Sequence, residues 1–181
     1  MSEASTEVAA HAPSAEAEAL RNTLYGAFAQ NEDYLVRWRG LLKGDSSWAG
    51  FNWSAALLGM LWCFYRKMYW LGIAAFVAAL VLGFLTGITI GLWAPELLSS
   101  SVKLTFVTLA VTATFIRLPL GLLANRLYFG RASDTISACV ERGFTGADAL
   151  VYLRSAGGTS FGAMLIALAA TIAARFLLVG M

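Results

Sequence analysis

Residues 68–94 form a run of 27 positions without a single charged side chain, and no other feature of the chain restricts its fold so strongly. As an α-helix the run is roughly 40 Å long, enough to cross a hydrocarbon core of about 30 Å. Tyr69 and Trp70 stand at one end and Trp93 at the other, where aromatic side chains mark the two membrane–water interfaces. Composition agrees: 59% of the residues are hydrophobic and 13% charged, with a mean hydropathy of +0.67, outside the range of a soluble globular chain.

Two further runs resemble the first. Residues 104–124 are apolar except for Arg117 and contain Pro119, and residues 161–181 are broken only by Arg175. A short polar turn, residues 95–103, makes the first two spans an antiparallel hairpin. The predicted fold class is an all-α membrane protein, with short amphipathic and re-entrant or interfacial helices followed by three transmembrane helices. Residues 125–160 are polar, and Thr145 with Asp148 suggests a capping box opening a short helix that Gly157 and Gly158 close.

Upstream of the spans, residues 1–20 hold Glu3, Glu7, Glu16 and Glu18 and no cation, a composition that predicts a disordered acidic tail. It is not a secretory signal, lacking both a basic start and an apolar run. In residues 31–43, Tyr34, Leu35, Trp38, Leu41 and Leu42 share one helical face, with Asn31 as N-cap and Glu32 and Asp33 in the first turn. This amphipathic helix, in region 21–50, lies either on an anionic bilayer or against its own protein. The uncharged residues 51–65 reach roughly 22 Å, too short to span. They are expected to be interfacial or re-entrant and, with the hairpin, to make a membrane core over residues 51–128. Since residues 65–70 contain no Gly, Pro or Asn, a single long bent helix is the alternative.

Beyond the tail the chain carries 13 cations and 7 acids. Arg37, Arg39, Lys43, Arg66 and Lys67 precede the first span and Arg126, Arg131, Arg142 and Arg154 follow the second, so the positive-inside rule puts the N-terminus and the 129–160 segment in the cytoplasm. The charges are too scattered for a nucleic-acid surface. Cys63 and Cys139 form no CxxC and imply neither disulfide nor metal site.

The block Phe51-Asn52-Trp53, Ala55, Gly59, Trp62 and Tyr65-Arg66-Lys67-Met68-Tyr69, preceded by residues 28–34 and followed by Asn125-Arg126-Leu127-Tyr128, resembles a family of small bacterial inner-membrane proteins carrying a domain of unknown function. The likeness covers about residues 25–128. Met60 stands where that family usually has proline. The resemblance implies a bacterial inner-membrane location and no particular activity.

Three constellations are candidate sites. Ala75, Ala79, Gly83, Gly87 and Gly91 recur every four residues along the first span, a small-residue face suited to close helix approach. Its partner is another subunit, a second copy, or this chain's own second or third span, where Ala163, Ala167, Ala170 and Ala174 offer weaker steps. Arg117 is an intramembrane charge with no Asp or Glu in any span to pair with, and acts as a snorkelling anchor or an interaction site. Trp38, Tyr65, Arg66, Lys67, Tyr69, Trp70 and Trp93 are expected to anchor the protein at the interface or to meet lipid headgroups.

Catalysis finds no support. The one histidine is His11 in the tail, so histidine-based metal, haem and nucleophilic arrangements are missing. Asp134, Glu141 and Asp148, seven apart, suggest one solvated helix face. The expected function is that of a non-enzymatic accessory subunit or scaffold, without cofactor, in contact with membrane lipids and with other subunits or itself. The alternative is a small oligomeric anion transporter or channel using Arg117.

Overall fold

The computed structural model describes residues 15–95 and 101–179, which hold helices and no strand. Three stretches are long and apolar enough to cross a membrane: Tyr69–Trp93, Phe106–Glu141 and Gly146–Ala174. Shorter helices precede them, so the chain is an all-α membrane protein.

The first helix, α1 (Ala15–Ala29), starts inside the segment expected to be disordered. Glu16 and Glu18 favour its first turn through the helix dipole, and burial of Tyr25, Phe28 and Ala29 supplies what composition alone lacks. Residues 1–14, with His11, lie outside the described residues. Helix α2 (Glu32–Lys43) is capped as the sequence suggests: the Asn31 side chain accepts from the Asp33 N–H at 2.8 Å, and Gly44 closes the helix at φ +77°.

Residues 51–65 are two helices, α3 (Trp53–Leu58) and α4 (Met60–Tyr65), broken at Gly59 with φ +58° and ψ −128°. That conformation belongs to glycine, so the kink is made without a proline. A second break separates α4 from α5 (Tyr69–Trp93), and Lys67 makes it at φ +56°. The Met68 N–H closes the turn onto the Cys63 carbonyl at 2.8 Å. The single long bent helix is thereby replaced by a sharp corner, paid for by a lysine in left-handed conformation.

The second span is longer than its apolar run. Helix α6 (Ser101–Thr112) passes through a π-helical turn (Ala113–Arg117) into α7 (Leu118–Glu141) without a break. The wide turn, with the Leu118 N–H bonded to the Ala113 carbonyl, accommodates Pro119 one residue on. Residues 125–141, expected in a separate polar segment, therefore continue the spanning helix. Helix α8 (Gly146–Ala156) follows, then α9 (Phe161–Val179). Thr145 is the N-cap of α8 but its side chain makes no capping hydrogen bond, whereas Gly157 does end the helix. Asp134, Glu141 and Asp148 are all exposed, but on two helices and not on one face.

The core lies at one end of the spanning helices, in a head built from α1 to α4, the second half of α7 and α8. Trp38, Trp62, Tyr128, Phe28 and Leu153 are its largest fully buried side chains. Along α5, by contrast, Val77, Val81, Phe84 and Ile88 face outward, as a lipid-facing surface does.

Candidate functional site

Two asparagines tie the head together. Asn52 caps α3 by accepting the Ala55 N–H at 2.9 Å, and its amide donates to the Asn125 side-chain oxygen at 2.8 Å. The Asn125 amide in turn donates to the carbonyls of Ala49 at 3.0 Å and Gly50 at 3.1 Å, while its own backbone carbonyl accepts the Trp38 indole N–H at 2.9 Å. Asn125 is fully buried, so these bonds replace water that the site excludes.

One turn further along α7, Tyr128 is the hub of the aromatic core. Its ring centroid lies 5.4 Å from Phe28, 5.1 Å from Tyr34, 5.4 Å from Trp38 and 6.2 Å from Trp62. Into this cluster projects the Arg66 guanidinium, 4.6 Å from the Tyr34 ring centroid, 5.3 Å from Tyr128 and 5.6 Å from Tyr65. Arg66 is only 7% exposed, and one terminal nitrogen reaches the Ala29 carbonyl at 3.4 Å.

The expected interfacial cluster is therefore divided. Trp38 and Arg66 are interior residues, and α2 packs its apolar face on α7, not on a bilayer. Lys67 is turned back to donate to the Ser155 carbonyl at 2.8 Å, where it closes the last turn of α8. Tyr65 is half-buried, and its carbonyl accepts the Ser160 N–H at 2.7 Å. Trp70 and Trp93, each 85% exposed, and Tyr69, 43% exposed, keep the surface position that interfacial anchoring requires.

These bonds bring three helix junctions to one place. Lys67 leaves the α4–α5 corner for α8, the Gly158 N–H donates to the Phe28 carbonyl at 2.8 Å, and the Gln30 amide donates to the Arg154 carbonyl. Glycine is obligatory there: a Cβ at Gly157 would stand 2.1 Å from the Phe28 oxygen.

The small-residue ladder of α5 divides as well. Ala75, Ala79, Gly83 and Gly87 are half-buried and Gly91 is exposed. A Cβ at Gly83 would meet Thr108 of α6 at 3.9 Å, so the middle of the ladder faces the chain's own second span, but at Gly87 it would meet nothing among the described residues. Helix α9 packs on α4 and does not reach α5 among the described residues, so the alanines of the third span are not the ladder's partner.

Arg117 ends the π-helical turn, and its guanidinium donates to the Leu57 carbonyl at 3.3 Å. Its Cγ lies 3.5 Å from where a Cβ of Gly59 would be, so it packs directly on the break between α3 and α4. The charge thus serves a carbonyl at the end of α3. The Arg175 side chain lies outside the described residues.

Sequence reasoning passed over Asn52, Asn125 and Tyr128 as site residues. The available signal was an Asn in each of two apolar surroundings, FNW and LANRLY, where an unpaired amide would be costly. No protein-family model, curated protein or solved structure matches the chain.

Proposed function

We propose that this chain is a non-enzymatic multi-pass membrane protein that acts by helix association, as an accessory subunit or scaffold of a membrane complex. The observation that carries this reading is the free end of the α5 ladder. Gly83 is used against Thr108, but among the described residues nothing stands within 4 Å of a Cβ at Gly87 and Gly91 is exposed, which supports the approach of a second helix to the α5 backbone there. Anion conduction through Arg117 draws no comparable support, because that guanidinium is engaged by Leu57. Exposed Arg37, Arg39, Lys43 and Arg126 support a cytoplasmic head on a bacterial inner membrane, with lipid phosphates near its rim.

Purification in nanodiscs from native membranes, with mass spectrometry on wild type and Gly87→Leu, tests the proposal. Other membrane proteins in fixed ratio, or a homo-oligomer, lost in the variant, are expected. A monomer without partners in both samples overturns it.

A further inference from the structure

Around Tyr128 the head buries hydrogen-bond donors that have no acceptor among the described residues. The Tyr128 hydroxyl is buried beside the Arg66 guanidinium and has no acceptor for its proton among the described residues, in a residue with no exposed surface. Arg66, itself more than nine-tenths buried, has its Nε–H without a partner as well. Arg131 stands one turn beyond Tyr128 on α7, on the same face of the helix. Side chains on a helix lean toward the preceding turn, which aims Arg131 at Tyr128, and its buried Nε–H is also unpartnered.

No carboxylate balances these two cations among the described residues. Glu16, Glu32, Asp33, Asp45, Asp134, Glu141 and Asp148 are exposed, and Glu18, on the first turn of α1, is half-buried. The Tyr34 and Tyr128 rings lie 4.6 Å and 5.3 Å from the Arg66 guanidinium carbon and one terminal nitrogen reaches the Ala29 carbonyl at 3.4 Å, which leaves the Nε–H to be satisfied by something else. Two guanidinium Nε–H groups and a phenol O–H without an acceptor among the described residues are a donor set for a tetrahedral oxyanion, since guanidinium geometry matches phosphate oxygens and charge-assisted bonds are the strong ones. Arg131 is only partly buried, so the cluster reaches from the interior of the head toward its surface.

We propose that Arg66, Tyr128 and Arg131 form a phosphate-binding site inside the head, filled either by a phospholipid headgroup or by free phosphate. The site is independent of the association reading above: it lies in α4–α7 of one chain and needs no second helix at Gly87.

The test uses the full chain, delipidated in a neutral maltoside detergent. Thermal unfolding is followed while inorganic phosphate is titrated against sodium chloride of equal ionic strength, and separately while phosphatidylglycerol is added to the micelles. Native mass spectrometry then counts retained lipid. A rise in Tm with phosphate alone identifies a free-phosphate site, and a rise only with phosphatidylglycerol, with one lipid retained, identifies a headgroup site. Either result supports the proposal if Arg131→Gln weakens the apparent affinity roughly tenfold or more, as loss of a charge-assisted hydrogen bond does, and Tyr128→Phe weakens it in the same direction. Arg39→Gln, an exposed charge on α2, should leave the response intact. No rise with either additive overturns the proposal, as does a rise of equal size in Arg131→Gln and Tyr128→Phe, or one lost equally in Arg39→Gln.

Discussion

The side-chain oxygen of Asn125 accepts the Asn52 amide at 2.8 Å, and this bond, beside that of the Asn52 backbone N–H to the Gly121 carbonyl at 2.8 Å, fixes the segment entering α3 to the middle of the second spanning rod. The same pair connects Trp38 of α2 and the Ala49–Gly50 loop, so four pieces of chain depend on two amides.

Replacing Asn125 with Leu removes the side-chain partner of Asn52 and of two buried or half-buried carbonyls. Each orphaned buried group costs about 1–3 kcal/mol. Asn125→Leu is expected to lower stability by several times the cost of Thr23→Ala, whose hydroxyl bonds only the Ala19 carbonyl on the exposed side of α1. Thermal unfolding in detergent compares the two; equal effects would mean that the amide pair contributes nothing special.

Glycine positions separate sharply by environment. Gly157→Ala and Gly121→Ala place a Cβ at 2.1 Å from the Phe28 oxygen and 2.6 Å from the Phe51 ring, and both variants should accumulate poorly as folded protein. Gly87→Ala meets nothing among the described residues and gains about 0.5–1 kcal/mol of helix propensity. Fluorescence-detected size exclusion of the three variants gives the ranking directly.

Gly59→Ala must hold φ +58° and ψ −128° with a side chain, at a cost of about 1–3 kcal/mol. Arg117→Ala should be milder, since it removes one partly exposed hydrogen bond to the Leu57 carbonyl. If Arg117→Ala proves as harmful as Gly59→Ala in a thermal scan, the arginine holds the break between α3 and α4 more strongly than its geometry indicates.

Cys63 and Cys139 are both free and buried. Burial pushes the Cys63 thiol in α4, outside the spanning helices, from its ordinary value of 9.0 up to about 12. The reactive thiolate is thus scarce at neutral pH, and maleimide should label Cys63 only after unfolding, as a mass shift would show. The linked effect on stability has a definite sign: the folded state holds this proton more tightly, so its contribution is complete below pH 9.0 and is lost as pH rises toward about 12.

How far the fold was legible follows from range. Uncharged runs and caps are local, so the three apolar runs, the Asn31 cap and the Gly157 terminus could be read directly. The fates of Arg66 and Lys67 could not, because the same Tyr-Arg-Lys string suits an interface or a core. What decided was the arrival of Tyr34, Tyr128 and Ser155 from distant segments. Helix α7 outran its apolar stretch for a similar reason: its polar half is buried at Asn125 and Tyr128 by α1 and α2, and hydropathy alone cannot register such cover.

The clasp between the α1–α2 turn and the end of α8 also sets a timetable for biosynthesis. Gln30 and Arg154 are 124 residues apart in the chain, a delay of roughly 6–25 s at about 5–20 residues per second. For that interval the ribosome has already delivered α5 and α6 to the membrane, while Phe28 still waits for Gly157. The nascent head is an open aromatic surface, and a chaperone or partner that shields it during synthesis would act before the folded protein exists.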